Sequence, residues 1–140
     1  MAMKNKLNIF YLIALTLFIY SCSKSNNDRP IGQWDDIIKL STNKVAFKST
    51  TDSITIKTQG DWWYITEISV DKNKFSNFQG VDVLSDHYVI KQDCFIVERR
   101  DKNTLFIKLD PNPNSVKRVV IVGLGAGDYF DRVVITQAPK

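Results

Sequence analysis

Histidine and cysteine are scarce in this sequence. Its 140 residues include one histidine, His87, and two cysteines, Cys22 and Cys94. A single histidine excludes any metal site built from several histidines. Asp110 and its neighbours also lack the alternating carboxylates of a calcium-binding loop. We therefore expect neither a metal nor any other cofactor.

Long runs of basic residues are absent as well. The formal net charge is +4 at pH 7, yet the longest basic pairing is Arg99-Arg100, with Asp101 directly after it. Nucleic-acid-binding domains concentrate Lys and Arg on one face or in runs. The sequence therefore argues against a nucleic-acid partner.

No constellation of catalytic residues stands out. His87 with Cys94 or a serine could form a nucleophile–base pair, but no local motif marks a nucleophile. The run Val119–Gly127 resembles the start of a dinucleotide-binding fingerprint, which needs a helix after its glycines. Residues 129–135 are instead typical of a strand, and few residues remain beyond them. We expect a hairpin at this place and no enzyme activity.

The longest apolar run lies near the N-terminus. Lys4 and Lys6 precede an apolar run, Leu7–Tyr20, and residues 19–22 read Ile-Tyr-Ser-Cys. A basic start followed by such a run is typical of a secretory signal peptide. The run is shorter than the roughly 20 apolar residues of a membrane-spanning helix. Its end resembles a bacterial lipobox, with an uncleaved anchor helix as the alternative interpretation.

The lipobox resemblance implies that Cys22 receives a diacylglycerol thioether and becomes the first residue of the mature protein. Residues 1–21 would then be the signal peptide, and the polar residues 22–33 would be a flexible tether. Each buried acyl methylene contributes about 0.8 kcal/mol to membrane binding. We therefore expect a lipid anchor in the outer membrane of the cell envelope, facing either the periplasm or the exterior. Cys94 would be left as an unpaired, small buried hydrophobe.

Beyond residue 33 the chain shows period-two alternation and almost no helical periodicity. Apolar and polar residues alternate in Ser53–Thr58 and again in Leu105–Leu109, as in half-buried strands. Residues 71–93 would be a long loop or a loop with one extra strand, and Gly123–Asp128 would join the last two strands. The pattern predicts an all-β fold, a β-sandwich of about seven to eight strands. The candidate strands are Ile37–Leu40, Val45–Lys48, Ser53–Thr58, Trp62–Val70, Phe95–Glu98, Leu105–Leu109, Val116–Leu124 and Asp128–Gln137.

A cluster of aromatic residues opens the fourth candidate strand. Adjacent strand residues point to opposite faces of a sheet, so we expect Trp63 and Ile65 in the core and Trp62 and Tyr64 outside. Exposed rings on a flat β-face are suited to carbohydrate, because apolar C–H faces stack on the π-system. The alternative is that Trp62 only packs beneath residues 71–93.

Several short motifs between residues 36 and 139 resemble the BACON domain (Bacteroidetes-associated carbohydrate-binding, often N-terminal). They include an opening Leu-Ser pair, a Gly-Asp-Trp-Trp motif after an alternating strand, and a final strand that ends in hydrophobic-x-Gln. The segments that carry the resemblance are Leu40-Ser41, Val45–Phe47, Ile54–Ile56, Gly60–Trp63, Leu105–Leu109, Asn112–Asn114, Arg118–Val122 and Val133–Gln137.

This resemblance implies an immunoglobulin-like β-sandwich over residues 34–140 that binds glycans, including mucin, on a bacterial lipoprotein. Trp62 and Tyr64 are the carbohydrate-binding candidates on the aromatic face. Two departures from the family are expected: a single such domain with no enzyme attached, and a longer connection at residues 71–93. These departures leave a second function open, a protein-interaction or structural subunit of a cell-envelope complex that uses residues 71–93 or a sheet edge.

Overall fold

The structure is a computed structural model, and it describes residues 34–140. The predicted signal peptide, the lipidation residue Cys22 and the tether 22–33 lie outside the described residues. Within residues 34–140 all regular structure is β, which confirms the predicted fold class. The nine strands are β1 (Lys44–Phe47), β2 (Asp52–Lys57), β3 (Tyr64–Val70), β4 (Asn73–Phe75), β5 (Tyr88–Gln92), β6 (Phe95–Asp101), β7 (Thr104–Leu109), β8 (Arg118–Ala126) and β9 (Tyr129–Gln137).

The strands form an immunoglobulin-like sandwich of two sheets. One sheet has five strands in the order β1-β9-β8-β3-β4, and the other has four in the order β2-β7-β6-β5. All neighbouring strands are antiparallel except β1, which pairs with β9 in parallel from Lys44 opposite Val134 to Phe47 opposite Gln137. The described strands number nine rather than seven to eight because residues 71–93 supply both β4 and β5.

The core lies between the two sheets and follows the predicted alternation. Leu105, Ile107 and Leu109 of β7 are fully buried, and so are Val133 and Ile135 of β9. Burial of side chains of this kind contributes about 1.5–3 kcal/mol each. The alternation predicted for these strands is therefore confirmed, and the faces that carry these residues are the inward ones.

Residues 76–87 pack along the opening between β4 and β5. Phe78, Val81 and Val83 are half-buried against the core, together with Phe75 of β4. Leu84, in contrast, is 74% exposed. Residues 71–93 are therefore not a loop alone: they contain β4 and β5, one strand more than the alternative of a loop with one extra strand.

The predicted strand Ile37–Leu40 is wrong. The Asp36 carboxylate accepts the backbone N–H groups of Ile38 and Lys39, at 3.1 and 2.7 Å, and Lys39 has a φ of 52°. This local turn interrupts an extended backbone. Ile38 is nevertheless fully buried, and Leu40 makes a single bridge with Thr58.

This segment, residues 36–43, lies against both sheets before the chain enters β1. The carbonyl of Ile38 accepts the N–H of Gly60 at 3.1 Å, and the N–H of Ser41 bonds to the carbonyl of Lys57 at 2.8 Å. The carbonyl of Asn43 then accepts the N–H of Val134 at 2.8 Å. We call residues 36–43 the strap.

Gly123–Asp128 was expected to be the connection between the last two strands, and this expectation is wrong for most of its length. Gly123 and Gly125 lie within β8 and pair with Arg132 and Phe130 of β9. Only residues 127 and 128 form the turn, where Gly127 has a φ of 59° that favours glycine. Gly123 and Gly125 instead leave room for side chains of β3 that lie over them on the outer face of the sheet.

One end of the sandwich holds a buried polar cluster. Gln137 is fully buried, and its side-chain oxygen accepts a hydrogen bond from Arg118 at 3.0 Å. Its amide nitrogen donates to the carbonyls of Thr50 and Asp110, at 3.2 and 3.1 Å. Nearby, Asn112 donates to the carbonyl of Val116 at 2.9 Å, so β8 begins at Arg118 rather than at the predicted Val116. The hydrophobic-x-Gln ending, one of the motifs in the sequence resemblance, thus has a structural purpose: its Gln137 holds this buried cluster together.

Candidate functional site

The predicted strand Trp62–Val70 begins only at Tyr64, so Trp62 and Trp63 lie just before β3; the aromatic residues nevertheless alternate between the core and the outer face, as predicted. Trp63 and Ile65 are 2% and 1% exposed, whereas Trp62 is 69% exposed. Tyr64 is half-buried. Residues 71–93 therefore do not cover Trp62, and the interpretation of its ring as simple packing is wrong.

Buried neighbours hold the backbone beneath Trp62. The indole N–H of Trp63 donates to the hydroxyl of Thr58 at 3.0 Å, and the Arg99 guanidinium lies 4.6 Å above the Trp63 ring. Arg99 is itself 3% exposed and donates to the carbonyl of Asp61 at 2.7 Å. The residues on both sides of Trp62 are thus fixed, so the exposed ring stands on a rigid support.

Tyr64 belongs to a row of side chains that crosses three strands. It pairs with Gly125 of β8, which pairs in turn with Phe130 of β9. A Cβ atom at Gly125 would lie 3.2 Å from Cζ of Tyr64 and 2.8 Å from Cγ2 of Thr66. Glycine is needed at 125 because these two side chains of β3 lean over it.

Phe130 is a functional candidate that the sequence analysis did not select. It is 65% exposed, and it lies on the same outer face as Tyr64 with only Gly125 between them. The signal was present, because Phe130 has the opposite parity to the buried Val133 and Ile135 of its strand. We call Trp62, Tyr64 and Phe130 the aromatic patch.

The tip of the aromatic patch lies beside the β8–β9 turn. A Cβ atom at Gly127 would be 3.4 Å from Cζ3 of Trp62, so the indole rests close to the turn. Alternate strands of a sheet are about 10 Å apart, which places the backbones of Tyr64 and Phe130 at about that separation. The patch therefore offers several rings along one end of the five-stranded sheet.

An open depression of about 870 Å³ continues from Phe130 along the same face. Its floor includes Gly123 and Ile121, and its sides include Glu67 of β3 and Arg132 of β9. Trp62 and Tyr64 are not among its lining residues. The two residues predicted from the sequence thus share the face with the depression, whereas Phe130 is the ring that borders it.

The charges around the depression are unequally engaged. Lys74 pairs with Glu67 at 3.5 Å, and the Asp71 carboxylate accepts the N–H of Val119 at 2.9 Å. Arg132 is exposed, and its guanidinium makes no hydrogen bond or ion pair with any described residue. Of the basic side chains that line the depression, Arg132 and Lys72 thus have no carboxylate partner among the described residues, whereas Lys74 has one.

The remaining titratable candidates are not brought together. The Nδ1 atom of His87 lies 3.3 Å from the carbonyl of Arg100 and 4.0 Å from the Glu98 carboxylate. Cys94 is half-buried against the core, and burial raises the pKa of its thiol above the ordinary 9.0. Within residues 34–140, no three His, Cys, Asp or Glu side chains are grouped so that they could hold a metal ion. The same residues contain no helix of the length and apolar character needed to cross a membrane.

Comparison with known proteins gives a fold without a family. No protein-family model matches the sequence, and no curated protein matches it. A protein from Bacteroides thetaiotaomicron, solved by NMR, has a similar structure with a TM-score of 0.62 and 16% sequence identity, over 85% of this chain and 98% of that chain. This likeness shows a shared fold, and membership of the BACON family stays a prediction.

Two further solved structures are more distant. A CsuC–CsuE chaperone–tip adhesion subunit complex of Acinetobacter baumannii gives a TM-score of 0.37 at 8% identity, over 74% of this chain and 57% of that chain. WR4, an MSP family member of C. elegans, gives 0.36 at 10% identity, over 76% of this chain and 100% of that chain. Both likenesses are too weak to carry an argument about function.

Proposed function

We propose that this protein is a lipid-anchored, non-catalytic binding protein of the bacterial cell envelope, and that its aromatic patch binds carbohydrate. The observation that carries the proposal is the 69% exposure of Trp62 on a backbone held by buried neighbours. A large exposed ring on a rigid support is a feature of ligand-binding surfaces. Host mucin and other glycans are the candidate ligands, in line with the BACON resemblance.

The chemistry of the aromatic patch suits sugars. A pyranose ring presents apolar C–H groups on one face, and these stack on an aromatic ring, while its hydroxyls need polar partners at the ring edges. Trp62 supplies the large exposed face, and Tyr64 supplies a phenolic hydroxyl beside it. Tyr64 and Phe130 lie on a sheet, and Trp62 directly precedes β3 between fixed neighbours, so we expect the rings to move little when a ligand binds, which keeps the entropy cost of binding low.

Glycan binding is tested with the full-length protein in detergent micelles, on a glycan array and in a mucin pull-down. We expect binding by the wild type and loss of binding in Trp62→Ala, with the fold unchanged by circular dichroism. Leu84→Ala is the matched control, since it removes another exposed apolar side chain, 74% exposed, from residues 71–93. Absence of binding to every glycan would refute the proposal.

The same pair of variants separates the second function. A protein-interaction subunit that used residues 71–93 would lose its envelope partner in Leu84→Ala and keep it in Trp62→Ala. Most apolar side chains of residues 71–93 pack against the core and are not available to a partner. Trp62 and Phe130 of the aromatic patch remain exposed, and this difference supports the carbohydrate proposal over the second function.

Lipid attachment at Cys22 has its own test. Cells that express the protein are labelled with a radioactive or alkyne-bearing fatty acid, and the labelled protein is followed in the outer-membrane fraction. We expect label in the wild type and none in Cys22→Ala, which would also leave the membrane fraction. Equal labelling of the two proteins would contradict the anchor.

A further inference from the structure

Phe130 and Arg132 form an uncovered pair on the outer side of β9. They lie two residues apart on one strand and therefore on one face, about 7 Å from each other along the backbone. Their partners on β8 are Gly125 and Gly123, which have no side chains to lie against them. This is why Phe130 stays 65% exposed in a nine-stranded sandwich.

The opposite flank of the pair has no partner strand among the described residues, although the strap lies near it, where the Asn43 carbonyl accepts the N–H of Val134 at 2.8 Å. The parallel pairing of β1 with β9 begins at Val134, so no described strand lies beside Phe130 or Arg132 on that side. The pair thus borders the depression, and both of its side chains are exposed on the outer face of the sheet. A ligand could reach the ring and the guanidinium together.

The charged residues that line the depression balance in number, three acidic and three basic, and among them the Arg132 guanidinium offers an anion a planar set of donors. Glu67, the carboxylate across the depression, is already paired with Lys74 at 3.5 Å. Asp131 also borders the depression, but its Oδ1 accepts the backbone N–H of Arg132 at 2.7 Å. The Arg132 guanidinium keeps all its side-chain donors free among the described residues.

We propose that Phe130 and Arg132 are a subsite for an acidic sugar, one that carries a carboxylate or a sulfate group. The sugar ring stacks on Phe130, and its acid group binds the planar fork of Arg132, which matches two oxygens at once. This inference rests on the proposed function and adds its specificity: the aromatic patch binds the glycan chain, and Arg132 selects chains that are charged.

The experiment uses the full-length protein in detergent micelles and two matched pairs of polysaccharides. Polygalacturonate is compared with its methyl ester, and dextran sulfate is compared with dextran. Each pair differs only in the anionic group, so the ratio of the two affinities isolates its contribution. We expect the wild type to prefer the acidic member of at least one pair, and the pair concerned identifies carboxylate or sulfate as the group that is bound.

Arg132→Gln should lower the affinity for the acidic member about tenfold or more, which is the scale of a charge-assisted hydrogen bond. Its affinity for the neutral member should stay the same. Lys108→Gln is the matched control, because it removes one positive charge from the outer face of the four-stranded sheet. Equal effects of the two substitutions would point to net charge alone and would overturn the inference.

The parent proposal fails in a different way. If the wild type binds neutral and acidic chains equally, or if Arg132→Gln keeps the wild-type preference, the subsite is refuted while carbohydrate binding stands. If no polysaccharide is bound at all, both proposals fall. Trp62→Ala should weaken binding of both members of a pair and leave their ratio unchanged, which separates the patch from the subsite.

Discussion

The buried amide of Gln137 offers the sharpest test of the packing. Replacement by leucine keeps the approximate volume of the side chain and removes its three hydrogen bonds, to Arg118, Thr50 and Asp110. Gln137 is fully buried and Arg118 is 7% exposed, so water does not readily take the place of the lost partner. Gln137→Leu should therefore destabilise the protein strongly although leucine is the more apolar residue.

The magnitude follows from the bonds that are lost. The bond from the charged Arg118 is worth about 1.5–3 kcal/mol, and the two neutral bonds about 0.5–1.5 kcal/mol each. Part of the loss is offset by the apolar surface of leucine, so we expect the free energy of unfolding to fall by about 2–5 kcal/mol. The total for a protein of this size is about 5–15 kcal/mol.

Urea unfolding, followed by tryptophan fluorescence and far-UV circular dichroism, measures the change. The midpoint should fall with little change in the slope, since the surface exposed on unfolding is nearly the same. The control is Gln92→Leu at an exposed end of β5, which we expect to stay within about 0.5 kcal/mol of the wild type. A Gln137→Leu variant as stable as this control would refute the reasoning.

Three other predictions concern single residues. Gly60→Ala should destabilise the protein by more than about 2 kcal/mol in urea unfolding, because its Cβ would lie 2.1 Å from the carbonyl oxygen of Ile37; a neutral effect would contradict that contact. Tyr88→Phe should cost about 1–3 kcal/mol, since the Tyr88 oxygen accepts the N–H of Ile65 at 2.9 Å across the two sheets. Burial raises the pKa of Tyr88 above 10.0, so as the pH rises the unfolded state loses the hydroxyl proton first. The free energy of unfolding of the wild type should therefore decline above pH 10.0, and the same decline in Tyr88→Phe would refute the assignment. Burial raises the pKa of the Cys94 thiol, so it should react with a thiol reagent at pH 8 much more slowly in the folded than in the unfolded protein. Mass spectrometry of the labelled peptide measures the two rates, and equal rates would contradict its burial.

The sequence predicts strands well where one face of the strand is buried and the other is exposed to solvent. Ser53–Thr58 and Leu105–Leu109 have such alternation, and they became β2 and β7 with the expected faces. β4 has three residues, too few to show any period. The strand Ile37–Leu40 was predicted wrongly because one carboxylate, that of Asp36, turns its backbone.

The glycines of β8 illustrate a different limit. Locally, a run of glycines is typical of a turn, and nothing nearby indicates otherwise. Gly123 and Gly125 belong in a strand because side chains of β3, more than 50 positions earlier, lean over them. The same long-range register decides the site: alternation alone placed Trp62 and Tyr64 outside, but only the pairing through Gly125 brings Phe130 to them.

The strap has a mechanical consequence if the proposed lipid anchor at Cys22 holds the protein by its N-terminus. A pull on the chain before residue 36 first meets the buried Ile38 and the bonds of the strap to both sheets. Beyond them lies β1, whose parallel ladder with β9 is loaded in shear, with its hydrogen bonds strained together rather than broken one by one. Tension applied at the N-terminus is thus carried by both sheets from the strap onward. A force on a bound ligand would therefore meet these contacts before any strand is pulled out of its sheet.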